Sequence, residues 1–398
     1  MKRRDFLRFS AVATGATLMP QFLSASNPVL SAIGAKGKRL VVIQLSGGND
    51  SLNMLVPFRN DTYYKERPKI AIAAKDVLRL TSEVGLNPAM TGLQELYDQG
   101  YLTLINGVGY PNPNRSHFRS MEIWQTASDS DQTLQSGWVG RFLDTQPSTL
   151  VHPYSAIEME DALSLVMQGN EHSGLAAADP ARLKKVVNHP FIRQVADHNH
   201  GHHHHPQVDF LHETLDETVN SVDYIAAKAR SASNQMIYPA TALAHRLKTV
   251  AGLINADADT QVYYMSQGSY DTHANQLGGH ARLLGDLSNA LKAFVLDLKA
   301  SGRLDDTLVM VFSEFGRRVK QNAGRGTDHG TAGTMMLLGG KLKNQGVYND
   351  IPSLSDLDDG DLKHSIDFRS VYRNVLEDWL QTPSEDVLFK KFERLDIV

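Results

Sequence analysis

Cysteine is missing from all 398 residues. Its absence excludes disulfides, thiolate metal ligands, a cysteine nucleophile and a lipid-modified cysteine anchor, but leaves the redox compartment open. Basic excess is missing too. Lys and Arg number 40 against 44 Asp and Glu, a formal net charge of −4, so the chain carries no electropositive footprint for nucleic acid. There is no long uninterrupted apolar run either. The one candidate, 9–23, is broken by Gly15 and Pro20 and is too short and weak for a stable membrane span. No internal repeat is present. What the chain does have is a hydrophobic content of 41%, enough for a large core, and α/β chains of this length often form one domain.

The first residues read as an address. Lys2, Arg3 and Arg4 precede Phe6 and Leu7, with the broken apolar run behind them. This start resembles a twin-arginine export signal, which is read by a receptor rather than by the bilayer. Small residues Ser24, Ala25 and Ser26 set the expected cleavage point, with Ala35 as a second one. Residues 1–26 are therefore expected to be a signal peptide. The resemblance implies the twin-arginine export machinery as a partner, folding before export, and a periplasmic destination.

Beyond it, Lys38 to Leu45 is a short β-branched run that predicts a buried strand. The turn after it contains Gly47 and Gly48, and Asp50 stands at the strand's carboxyl end, as a ligand or as a helix N-cap. A helical pattern over 87–97 and a strand over 102–105 follow, a series that predicts a βαβ unit and a mostly parallel sheet. The next loop, 109–119, holds Ser116 between Arg115 and His117. Ser116 reads as a nucleophile with charged and proton-shuttling neighbours, or as ordinary turn chemistry. Over 124–255 the alternation fades, and helices expected at 209–227 and 241–255 make this a mostly helical cap insertion. The histidine-rich run 198–205 lies inside it and has affinity for transition metals, but as a solvated loop it is not assigned to the active site. The α/β rhythm returns with strands at 261–265, 307–312 and 334–338. The helix at 279–300 carries a stripe of Leu283, Leu284, Leu287, Leu291, Phe294, Val295 and Leu298, and an amphipathic helix is expected over 367–380. Residues 38–398 are thus expected to form a single domain.

Acidic residues and histidines cluster after these strands, where open α/β sheets bind ligands. Asp50, Asp271, His273, Glu314, Asp328 and His329 offer oxygen and nitrogen donors sufficient for two cations about 4 Å apart, which clamp the attacking and leaving oxygens of an ester. Ser116 is the candidate nucleophile with His117 beside it, and Arg115 and Arg317 are candidates for holding anionic oxygens. The expected substrate is a small anionic ester. Donor chemistry admits zinc, manganese, calcium or magnesium, and the histidines favour zinc or manganese. Oligomeric state has no signal in the sequence.

The twin-arginine start, Gly47 to Asp50, Asn114 to Phe118, Tyr270 to His273, Ser313 to Arg317, and Asp328 with His329 together resemble an exported bacterial family, domain-of-unknown-function family 1501, within the alkaline phosphatase and sulfatase superfamily. The resemblance implies an α/β/α sandwich with a central, mostly parallel sheet. It implies that Asp50, the Ser116 loop, the Asp271 and His273 pair, and His329 match the superfamily's ligand and nucleophile positions. One departure is Glu314-Phe315 where Asp-His is usual, which removes a ligand unless Asp328 compensates. The residues after Ser116 also lack the formylglycine motif, which favours phosphate-type esters over sulfate esters. Two readings follow: a metal-dependent hydrolase, and a non-catalytic exported binding or assembly protein on the same scaffold.

Overall fold

In the computed structural model, residues 37–197 and 206–398 are described. The expected signal peptide and the 198–205 histidine run lie outside the described residues. Nine strands form one sheet: β1 (Arg39–Leu45), β2 (Leu102–Gly109), β3 (Ala156–Glu158), β4 (Leu175–Ala176), β5 (Val262–Gln267), β6 (Thr307–Phe312), β7 (Gly333–Leu338), β8 (Gly346–Val347) and β9 (Ile366–Asp367). Their order is β8-β2-β7-β6-β1-β5-β3-β4, with β9 also pairing β2. Every pairing is parallel except those of β7, which runs against both β2 and β6. This reversal sets the site. The carboxyl ends of β1, β2, β5 and β6 and the amino end of β7 all reach the same edge.

The sheet is buried on both faces, so its strands read as continuous apolar runs rather than alternating ones. Alternate residues still go to opposite layers. Val41, Ile43, Tyr263, Met265, Val309 and Val311 pack on one side with the helices α1 (Thr91–Asp98), α4 (Ala242–Asn255) and α5 (Gln276–Ala300). Leu40, Val42, Val262, Tyr264, Leu308 and Met310 face α2 (His117–Thr126), α3 (Trp138–Asp144) and α6 (Phe368–Asn374). The arrangement is the expected α/β/α sandwich. Leu284, Leu287, Leu291 and Leu298 of α5 are fully buried, and truncating one to Ala is expected to cost about 2–5 kcal/mol.

Two expectations change. The span 124–255 is mostly helical, but it also supplies β3 and β4 to the sheet edge, and α4 belongs to the layer covering the sheet. It is therefore part of the sandwich as well as an insertion, because Leu247, Val250 and Ile254 have the sheet to pack on. At the other end, the helix expected over 367–380 leaves α geometry after α6 and completes a π turn at Val375–Trp379. No helix among the described residues is long and apolar enough to cross a membrane.

Candidate metal centre

Three imidazoles converge on one carboxylate at the shared edge. His117 opens α2, the helix that follows the loop after β2. Asp271 and His273 follow β5, and His329 ends the strand Thr327–His329, which pairs with Arg317–Gln321 in a hairpin between β6 and β7. Asp271 Oδ1 lies 2.9 Å from His273 Nε2, 3.2 Å from His329 Nε2 and 3.5 Å from His117 Nε2. His273 Nε2 and His329 Nε2 are 3.0 Å apart.

The other ring nitrogen of each histidine is anchored. His117 Nδ1 bonds Glu314 Oε1 at 2.8 Å, His329 Nδ1 bonds the Arg115 carbonyl at 2.8 Å, and His273 Nδ1 faces Asp328 Oδ1 at 3.4 Å. Carbonyl and carboxylate oxygens accept, so each Nδ1 is placed to carry a proton, the arrangement that leaves Nε2 as the ligating atom whenever the ring is neutral. Lone pairs converging on a carboxylate make an electron-rich centre that a cation would neutralise. His117 Nε2 is buried with no hydrogen-bond partner, and the ligand atoms of His117, Asp271 and His329 lie within 4.8 Å of one another. Nitrogen donors oriented by outer oxygens, plus one carboxylate, are the chemistry of a zinc-type site. The residues fit a divalent ion.

Burial by itself would raise the Asp271 pKa, but hydrogen bonds from Arg317 and His329 and the charges of Arg317 and His273 outweigh it and hold the carboxyl at about 2. The Glu314 hydrogen bond raises the His117 pKa against the opposing effect of partial burial. For Asp328, the hydrogen bond from Asn322, 3.0 Å long, leads the effects that lower its pKa.

The remaining candidates fall into other roles. Glu314 is fully buried and accepts from the Gly47 amide at 2.8 Å as well as from His117, so it orients a ring instead of joining the cluster. Asp328 orients His273 in the same way. Phe315 lies against His117 and His329, with ring centroids 4.9 and 4.8 Å away, as an apolar wall. Asp50 is sealed inside, paired with Arg67 Nη1 at 2.6 Å, and its side chain forms no N-cap hydrogen bond. Arg317 was expected to meet substrate, but its side chain is wholly buried. It donates to the carbonyls of Gly47, Gly48, Tyr270 and Thr327 and to Asp271, so it braces the loops. Arg115, 38% exposed, is held by Asp359 and Asp361. Ser116 is exposed at the N-cap of α2, and its hydroxyl makes no cap bond.

The sequence sets His117 beside the candidate nucleophile, and its only signal as a donor is that a histidine opens a helix after a strand-end loop. Arg67, Gln276 and Asn322 carried no pattern at all.

Comparison with solved structures finds low similarity over most of the chain. The C-terminal periplasmic domain of EcEptC from Escherichia coli, in complex with Zn, is 11% identical with a TM-score of 0.39, covering 96% of this chain and 96% of that one. The lipoteichoic acid synthase LtaP from Listeria monocytogenes is 11% identical with a TM-score of 0.36, covering 80% and 69%. A protein in the alkaline phosphatase superfamily from Vibrio parahaemolyticus is 11% identical with a TM-score of 0.35, covering 85% and 69%. No curated protein matches the chain. The model of the family described as "Protein of unknown function (DUF1501)" matches residues 106–370, and the chain belongs to that family.

Proposed function

We propose that the protein is an exported, periplasmic, metal-dependent hydrolase of phosphate-type esters that works with one divalent ion. The observation that carries this reading is the convergence of three Nε2 atoms on Asp271 Oδ1 while each Nδ1 faces an oxygen acceptor. His117, His273, His329 and Asp271 would hold the ion, with zinc or manganese favoured by the nitrogen donors. When bound, such an ion supplies Lewis acidity toward an ester oxygen and eases proton loss from a nearby hydroxyl.

The chain's own groups do the rest. Ser116 offers an exposed hydroxyl free of cap bonding at the start of α2, and the first-turn amides and positive dipole end of that helix favour an anionic ester there. Asn114 Oδ1 accepts from the Ser116 amide at 2.8 Å and fixes the loop. Arg115 is the remaining candidate for contact with anionic oxygens, since the donors of Arg317 are spent on loop carbonyls and Asp271. Glu314, Asp328 and the Arg115 carbonyl keep the imidazoles in the ligating tautomer.

A second reading rests on a different contact. Arg317 Nη2 lies 2.7 Å from Asp271 Oδ1, so the cluster has an internal cation, which favours a non-catalytic binding or assembly protein. Elemental analysis of untagged, exported protein with 198–205 replaced by Ser and Gly separates the two. The hydrolase predicts about one equivalent of metal, absent in an Asp271→Asn, His273→Ala double variant. It also predicts phosphatase or phosphodiesterase turnover that Ser116→Ala abolishes without loss of metal. Metal-free protein in both cases would retire the hydrolase.

A further inference from the structure

Beneath the candidate centre lies a second polar group, buried and linked to the same hairpin. Asp50 Oδ2 accepts from Arg67 Nη1 at 2.6 Å and from Gln276 Nε2 at 2.5 Å. Gln276 Oε1 accepts from Thr327 Oγ1 at 2.8 Å, two residues before His329. Arg67 then donates from Nε to the Val319 carbonyl and from Nη2 to the Arg318 carbonyl, each at 2.8 Å. The two strands of the hairpin, Arg317–Gln321 and Thr327–His329, are therefore held from one anchor. One strand carries Arg317, which braces Asp271, and the other carries Asp328 and His329.

We infer that Asp50, Arg67 and Gln276 are positioning residues that set the His329 hairpin against Asp271, and that Asp50 is not a metal ligand. The inference rests on the metal reading above and narrows it: the cation that balances Asp50 is Arg67, so the protein takes one metal ion and not two. Asp50 is fully buried, and one of its oxygens has two strong donors. Asn53 Oδ1 accepts from Arg67 Nη1 at 2.9 Å and from the Tyr63 hydroxyl at 2.9 Å, which fixes the guanidinium in place. The other Asp50 oxygen, Oδ1, is buried without a hydrogen-bond partner. It is the atom through which the opposing arrangement, a second cation on Asp50, would act.

Two measurements on the full mature chain with 198–205 replaced decide between them. The first is amide hydrogen exchange of metal-free protein across 317–329, for wild type, Asp50→Asn and Thr327→Val. Faster exchange confined to the hairpin is expected in both variants, whereas general loosening would raise exchange through the sheet as well. The second is zinc stoichiometry by elemental analysis, with affinity by chelator competition. One equivalent is expected in all three proteins, with affinity about 10–100-fold weaker in Asp50→Asn and about fivefold weaker in Thr327→Val, the worth of one hydrogen bond. Thr327→Val leaves the ion pair intact, so it reports even where Asp50→Asn does not fold. Two equivalents in wild type falling to one in Asp50→Asn, or hairpin exchange unchanged in Thr327→Val, would overturn the inference. Wild type without zinc refutes the metal reading, while exchange in the metal-free protein still decides whether the anchor acts.

Discussion

Asp50 and Asp271 follow neighbouring parallel strands whose last paired residues are Leu45 and Gln267, yet one carboxylate is sealed and the other is 48% exposed. The sealed one is neutralised by a guanidinium that never meets solvent. Burial raises the Asp50 pKa, but the charge and hydrogen bond of Arg67 outweigh it and the net shift is downward. The open one gathers three imidazole nitrogens and remains accessible. Position after a strand therefore does not make an acid a ligand. The partner that reaches it first decides, and for Asp50 that partner arrives 17 residues later as Arg67.

Breaking the sealed pair should have the largest effect on stability. Arg67→Ala leaves a buried carboxylate without its charge partner and is expected to cost about 3–5 kcal/mol in urea unfolding. A smaller loss would mean that water reaches Asp50.

The sealed region also holds His280, whose ring is 1% exposed and whose Nε2 lies 2.8 Å from Asn49 Oδ1. Burial lowers its pKa to about 4 from 6.5. Between those values the unfolded chain binds more protons, so the His280 contribution is complete above 6.5 and is lost as pH falls toward 4. Glu158 works in the opposite direction. Burial raises its pKa to about 7 from 4.5, so its contribution is complete below 4.5 and is lost as pH rises toward 7. Each shift corresponds to roughly 3 kcal/mol, and from pH 4.5 to 6.5 they largely offset. Glu158→Gln should therefore unmask a stability that climbs with pH across that window. A urea-midpoint series showing no climb would count against a neutral, buried His280.

Effects at the open carboxylate should divide differently. Glu314→Gln keeps the shape of the side chain but weakens the hold on His117, and metal affinity by chelator competition should drop about 10–100-fold. Asp271→Asn should remove metal binding altogether while costing only about 1 kcal/mol of folding stability, as for a partly exposed ion pair. A large unfolding penalty there would mean that the Asp271–Arg317 pair is chiefly structural. The smallest effect is expected at Phe118, which is 86% exposed: Phe118→Ala should stay within about 0.5 kcal/mol of wild type by thermal or urea unfolding.

Much of the sandwich was legible because its buried strands are uninterrupted apolar runs and its long helices carry wide stripes. β6 was expected over 307–312, which are the bounds it has. The place of Asp271 and His273 after an apolar strand was legible for the same reason, whereas His329 closes a short strand of the hairpin rather than following one. The direction of β7 was not, since an apolar run has the same composition whichever way it is paired. Nor were the fates of Asp50 and Arg317. Both are decided by side-chain contacts, and Arg317 reaches Gly47 and Gly48 across about 270 positions of sequence, a separation at which local pattern is silent. The Glu314-Phe315 departure was visible, but its outcome, a carboxylate turned onto His117 Nδ1, needed the fold.

The central place of β1 fixes an order of assembly. Leu40 pairs with Val262 on one side and with Leu308 on the other, so the first strand of the sheet has no neighbours until more than half the chain has been made. Contacts of such separation slow folding, because the loop between them must close before anything is gained. A nascent N-terminal half would carry β1 as an unpaired apolar segment, exposed to aggregation until β5 and β6 arrive. The edge cluster comes later still, since it needs the hairpin beyond β6. The imidazoles and Asp271 should therefore come together only at the end of folding, with the native sheet.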